Sequence, residues 1–108
     1  MSDAATEMRR LETKAEEVAA VLKTLSNPRR LLLLCKLAEL GAMSVGKLAS
    51  AVGLSQSALS QHLAIMRQEG LVGFERTGQM LHYRIADPRL EALLAGLYEI
   101  YCAPPEKD

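Results

Sequence analysis

The 108-residue chain is 49% hydrophobic, which predicts one globular domain and excludes a disordered protein. Its longest apolar run, residues 31–35, is too short to span a bilayer, and no apolar signal segment opens the chain, so we expect a cytoplasmic protein. The net charge is zero, but residues 26–84 hold seven basic and three acidic side chains. This central excess of four positive charges favours contact with DNA phosphates.

The N-terminal part of the chain predicts two helices. The first spans Ala4 to Leu25 and carries a narrow apolar stripe that suits pairing with a partner helix, although it could instead cover the domain's own core. Asn27 and Pro28 favour the start of a second helix. That helix, residues 29–40, is apolar on almost every side, which is typical of a central core helix. The stripe of the first helix consists of Met8, Leu11, Ala15, Val18, Leu22 and Leu25.

Residues 44–70 have the pattern of a helix-turn-helix, a motif that places its second helix in the DNA major groove. Ser44 and Ser55 stand where helix N-caps belong, and Gly53 supplies the positive φ of the tight turn. The outer face of the second helix is polar but uncharged, which suits base edges better than bulk water, although simple exposure would also explain it. That face carries Gln56, Ser57, Ser60, Gln61 and Gln68.

Two strands and a last helix complete the predicted fold. Residues 71–76 and 80–85 form a hairpin with its turn at Thr77–Gly78. A hairpin directly after a recognition helix is the wing of a winged helix, and Arg76 lies near its tip, within reach of a minor groove or phosphates. The last helix begins at Asp87–Pro88 and continues to Cys102, and residues 103–105 stop it. The sequence therefore predicts a mainly α winged helix-turn-helix with a small β-hairpin wing, in the order α-α-α-α-β-β-α.

Several short motifs resemble the ArsR/SmtB family of bacterial winged-helix repressors: LSNPRRL at 25–31, LSQS at 54–57, SQHL at 60–63, RQEGLV at 67–72 and RTGQ at 76–79. The resemblance covers nearly the whole chain. It implies a homodimer joined through its first and last helices and bound to a pseudo-palindromic double-stranded operator, with recognition helices about 34 Å apart.

Within that fold we assign DNA contacts to eight side chains. His62 fits a packing or capping role equally well. Gln56, Ser57, Ser60 and Gln61 are assigned to bases, His62 and Arg67 to phosphates, and Arg76 and Gln79 to the wing.

The resemblance also suggests an effector. Metal-sensing members carry a Cys-x-Cys pair near the helix-turn-helix or ligands along the last helix, and neither is present, so a metal sensor is the weaker alternative and no metal site is predicted. Cys35 in the second helix and Cys102 at the end of the last resemble the persulfide-sensing branch of the family. That likeness implies that sulfane sulfur species join the two thiols through a disulfide or a longer sulfur bridge, which releases DNA. Cys35 could instead be a small core residue.

Other classes of function have less support. No Gly-rich phosphate loop is present, and neither His62 nor His82 has a nucleophile in a recognised arrangement, so we expect no enzyme and no cofactor. A winged helix used only for protein interaction remains an alternative, but it would not need the basic middle of the chain.

Overall fold

The computed structural model describes residues 3–102, so the predicted helix stop at 103–105 lies outside the described residues. The described chain falls into two compact units that divide between Leu31 and Leu32. No helix within 3–102 is long and apolar enough to cross a membrane. The helices are α1 (Ala4–Thr13), α2 (Ala15–Leu25), α3 (Pro28–Leu40), α4 (Val45–Val52), α5 (Gln56–Gln68) and α6 (Pro88–Tyr101), and the strands are β1 (Met43–Ser44), β2 (Val72–Thr77) and β3 (Met80–Ile85).

The first unit contains two helices where the sequence predicted one, so the prediction of an unbroken helix over 4–25 is wrong. The backbone leaves helical geometry at Lys14, with φ −106° and ψ 7°. The Thr13 hydroxyl donates to the Arg10 carbonyl at 2.7 Å, and the Lys14 N–H donates to the Leu11 carbonyl at 3.0 Å. Both bonds reach back only three residues, and such local bonds compete with the regular helical pattern.

Most of the apolar stripe of the first unit remains at the surface, whereas its last residue, Leu25, is buried. Met8, Leu11, Val18 and Leu22 are between 36% and 54% exposed. At the end of this unit, the Asn27 side chain accepts from the N–H groups at the start of α3, at 2.9 and 3.3 Å. The predicted cap at Asn27 is therefore confirmed.

The core of the second unit is formed by one face of each helix and by the start of β2. In α3 only Leu33, Leu34 and Leu37 are buried, whereas Leu32 and Leu40 are 41% and 54% exposed. The helix therefore contributes to the core, as predicted, but through one face only. The other buried apolar residues of the unit are Leu48, Ala49, Val52, Leu59, Leu63, Met66, Leu71, Val72, Leu90 and Leu94.

The helix-turn-helix is confirmed in its details. The Ser44 hydroxyl accepts from the Lys47 N–H at 3.3 Å, and the Ser55 hydroxyl accepts from the Ala58 N–H at 3.1 Å. Each bond satisfies a donor in the first helical turn. Gly53 has φ 71°, the left-handed conformation that glycine adopts without steric cost.

The sheet has three antiparallel strands in the order β1-β3-β2, one more than predicted. β1 pairs with β3 through Met43 opposite Tyr83, and its two residues are too few to show strand periodicity in the sequence. The hairpin turn is also one residue later than predicted. Thr77 pairs with Met80, so the turn consists of Gly78 and Gln79.

Candidate DNA interface and thiol site

The start of the recognition helix α5 and the tip of the wing share a groove of about 420 Å³. The groove brings together three of the predicted DNA contacts: Gln56, Ser60 and Gln79. Its other wall is the start of α4, where a β-carbon on Gly46 would lie 3.5 Å from the Gln56 side-chain nitrogen. That distance is an ordinary van der Waals contact, so the Gln56 amide lies directly beside Gly46. The full lining is Ser44, Val45, Gly46, Gln56, Ser60, Gln79, Met80 and Leu81.

The remaining predicted contacts differ in their surroundings. Ser57, Gln61 and Arg76 are exposed and do not line the groove. His62 is half-buried and already has an interaction within the protein, which favours the packing or capping role over a phosphate contact.

Arg67 lies at the other end of α5, and its guanidinium carbon is 4.9 Å from the centre of the Phe74 ring. Phe74 in turn packs on Tyr83 of the next strand, with ring centres 5.3 Å apart. A guanidinium over an aromatic face is attracted by the ring quadrupole. Arg67 therefore connects the end of the recognition helix to the wing, a contact that the sequence did not indicate.

The sequence also did not identify the start of α4 and Met80 as parts of the groove. Ser44, as the N-cap of α4, marks where that helix begins, but its position beside the wing depends on the pairing of β1 with β3. Met80 is 53% exposed and lines the groove. Met80 immediately follows the wing turn, so it stands beside the polar groups of the groove.

The two cysteines lie in the second unit, and both are exposed and unbridged. Exposure rules out the alternative in which Cys35 is a core residue. Cys35 lines an open cavity of about 620 Å³ between α3 and α6. The pKa of the Cys35 thiol is raised above its ordinary value by two causes. The larger is partial burial, and the smaller is the negative charge that Cys102 can carry. Cys102 is therefore close enough for its charge to act on the Cys35 thiol.

Cys102 is held at the end of α6 by its backbone N–H, which donates to the Tyr98 carbonyl at 2.8 Å. Tyr98 lines the same cavity as Cys35. Residues 3–102 contain no group of three or more histidine, cysteine or acidic side chains that could hold a metal ion. Among the described residues, the chemistry that α3 and the end of α6 offer includes two exposed thiols.

A helix-turn-helix followed by a β-hairpin wing defines the chain as a winged helix-turn-helix protein. A family model described as "Bacterial regulatory protein, arsR family" matches residues 27–73. The HTH-type transcriptional regulator YgaV of Escherichia coli (strain K12) is 45% identical over 97 residues, which cover 90% of this chain and 98% of that protein. The chain therefore belongs to the ArsR family of bacterial transcriptional regulators, and it is not an enzyme.

Solved structures agree with this assignment. The transcriptional repressor BigR from Xylella fastidiosa has a TM-score of 0.82 at 41% identity, covering 90% of this chain and 98% of that one. A homodimeric winged helix-turn-helix DNA-binding domain from Mycobacterium bovis has a TM-score of 0.74 at 33% identity, covering 93% of this chain and 86% of that one. The predicted winged-helix fold is confirmed by both.

Proposed function

We propose that the protein is a homodimeric transcriptional repressor whose affinity for operator DNA is switched by a dithiol, Cys35 and Cys102, that reacts with persulfides or polysulfides. The observation that carries this proposal is the pair of neighbouring, exposed thiols at a cavity between α3 and α6. The BigR relative is named a repressor, and repression is the simplest use of a DNA-binding domain that occupies an operator.

The DNA side of the proposal rests on the groove between α5 and the wing. Gln56, Ser60 and Gln79 are amides and a hydroxyl, the groups that read base edges by hydrogen bonding. The basic middle of the chain supplies the phosphate contacts, with Arg76 exposed in the wing.

Dimer formation through the first and last helices is supported by exposed apolar side chains on both. In α6, Tyr98, Ile100 and Tyr101 are 55%, 74% and 79% exposed, and on α1 and α2 the stripe is exposed from Met8 to Leu22. Apolar surface of this extent marks an interaction site. A twofold dimer would set two recognition helices about one turn of DNA apart, some 34 Å.

The sulfur chemistry balances without a further oxidant. A cysteine thiolate attacks the terminal sulfur of a persulfide R–S–S–H, a new S–S bond forms, and RS⁻ leaves with the electron pair. The second thiolate then attacks the first cysteine's sulfur and releases HS⁻, which leaves a disulfide. If both cysteines have first become persulfides, one attacks the other's cysteine sulfur, HS⁻ leaves, and a trisulfide bridge remains.

A bridge at this position has a route to the DNA interface. α3 carries Cys35 and leads directly into β1, which pairs with the wing strand β3. A shift of α3 towards α6 therefore displaces the wing relative to the recognition helix. A hundredfold loss of operator affinity needs about 2.7 kcal/mol of coupling between the two sites, a modest demand on a covalent bond.

The test is fluorescence-anisotropy titration of the DNA upstream of the protein's own gene, with reduced protein and with polysulfide-treated protein, and intact mass on the same samples. We expect affinity to fall together with a mass that corresponds to a bridge between Cys35 and Cys102. Cys35→Ser and Cys102→Ser variants should bind DNA normally and ignore polysulfide. A Cys102→Ser variant that still releases DNA contradicts the dithiol mechanism.

Absence of salt-dependent DNA binding by the reduced protein would instead favour the protein-interaction alternative. Release of DNA by metal ions, with no response to polysulfide, would favour the metal-sensing alternative.

A further inference from the structure

The cavity beside Cys35 combines apolar walls with three carboxylates. Ala38, Leu94 and Ala95 provide apolar surface, whereas Glu39, Glu91 and Glu99 bring acidic groups to the same cavity. The helical spacing explains the grouping on α6, because residues 91, 95 and 99 recur every fourth position on one face. A molecule in this cavity is therefore close to both the Cys35 thiol and these carboxylates.

The charges of these carboxylates are only partly balanced. Lys36 lies 3.7 Å from a Glu39 carboxylate oxygen. Arg89, the basic residue nearest in sequence to Glu91, donates to the Asp87 carboxylate at 2.9 Å instead. Among residues 3–102, neither Glu91 nor Glu99 has an ion pair. The cavity therefore carries an excess of negative charge on its α6 side.

We propose that Glu91 and Glu99 select the effector by charge, so that uncharged or cationic sulfane-sulfur donors react at Cys35 faster than anionic ones. The identity of the effector as a sulfane-sulfur donor rests on the proposed function, whereas the charge selection itself is a property of the cavity. The physical cause is Coulomb repulsion between an approaching anion and two carboxylates, which falls with distance and with added salt.

The reacting step is the same for every donor, so only its approach differs. The Cys35 thiolate attacks the outer sulfur of R–S–S–H, its proton having gone to solvent, and RS⁻ leaves with the electron pair of the broken S–S bond. An anionic R group brings its charge towards the carboxylates of α6 as the new S–S bond forms. An uncharged R group experiences no such Coulomb repulsion and can pack against the apolar walls.

Charge selection can be measured with methanethiosulfonate reagents, which transfer an R–S group to a thiolate and release a sulfinate. Three reagents differ only in R: neutral methyl, cationic trimethylammonioethyl and anionic sulfonatoethyl. A Cys102→Ser background leaves Cys35 as the one thiol, since the chain has two cysteines. Rates are followed by intact mass and divided by the rates of the same reagents with free cysteine.

We expect the cationic reagent to react faster than the anionic one in this normalised comparison. The double variant Glu91→Gln/Glu99→Gln should lower the cationic-to-anionic rate ratio by about tenfold at low ionic strength. The two carboxylates attract the cationic reagent and repel the anionic one, so removing them changes the two rates in opposite directions. Glu75→Gln, on the wing and outside the cavity, is the matched control and should leave the ratio unchanged.

Added salt gives a second measurement that needs no cavity variant, and it should move the ratio towards that of free cysteine. A ratio equal to that of free cysteine at low salt, or an equal change in the Glu75→Gln control, overturns the proposal. These rates are measured without DNA. Charge selection that persists in a protein whose DNA binding ignores polysulfide would therefore refute the proposed function alone.

Discussion

Replacing Gln56 with alanine tests whether the groove between α5 and the wing reads bases. Gln56 is the first residue of α5, its side chain is exposed, and the adjacent cap is made by Ser55 rather than by Gln56. Folding should therefore be unaffected, and any loss of DNA binding reports on the interface. The neutral amide contributes no charge, so the change separates base reading from phosphate attraction.

The size of the effect follows from the symmetry of the complex. A side-chain amide on a base edge is worth about 1 to 3 kcal/mol. The open groove admits water that can replace part of this contact, so we take the lower end. A dimer loses the contact in both half-sites, which gives about 2 kcal/mol and roughly a thirtyfold weaker complex with the operator.

The assay is anisotropy titration with the operator and with a scrambled duplex of the same length, over a range of salt concentrations. Gln68→Ala, at the far end of the same helix and outside the groove, is the matched control. We expect Gln56→Ala to weaken only the operator complex and to leave the slope of log affinity against log salt unchanged. Equal weakening on both duplexes, or a changed slope, would show that Gln56 does not read bases.

Three further outcomes follow from other parts of the structure. Arg76→Ala should weaken operator and scrambled complexes alike and reduce the salt slope by about two, one contact from each subunit, whereas an unchanged slope would remove Arg76 from the phosphates. Ser55→Ala removes the acceptor for the Ala58 N–H and should lower the free energy of unfolding in urea by about 1 kcal/mol. Burial and then the charge of Cys102 raise the pKa of Cys35, so Cys102→Ser, which removes the second cause, should make the Cys35 alkylation rate rise at lower pH than in the parent; identical pH profiles would contradict the effect of Cys102.

The sequence predicted the elements that depend on local chemistry. The sequence predicts helix caps at Ser44, Ser55 and Asn27. A short side chain with an acceptor oxygen, placed just before an apolar helical pattern, typically accepts from the free N–H groups of the first turn. Gly53 was assigned to the turn for an equally local reason, since positive φ costs glycine no steric strain. The candidate base contacts on α5 followed from the polar outer face of that helix, which needs only helical periodicity.

The elements that the sequence did not predict depend on contacts between distant segments or on single local bonds. β1 exists because Met43 pairs with Tyr83, forty positions later in the chain. The break at Lys14 depends on the rotamer of Thr13, whose hydroxyl bonds to the backbone of its own helix. Helical periodicity continues across that break, so a pattern of apolar residues does not reveal it.

The exposure of one face of α3 matters for the thiol site. Eight of the ten residues from 31 to 40 are apolar, so the sequence indicates a core helix without showing which face is buried. The structure buries Leu33, Leu34 and Leu37 and leaves Cys35 at the surface. A thiol that must react with a dissolved effector has to be reachable, and a fully buried helix could not present it. Under the proposed function, the exposed face of α3 gives the effector access to Cys35. A sequence pattern that describes only burial cannot show this access.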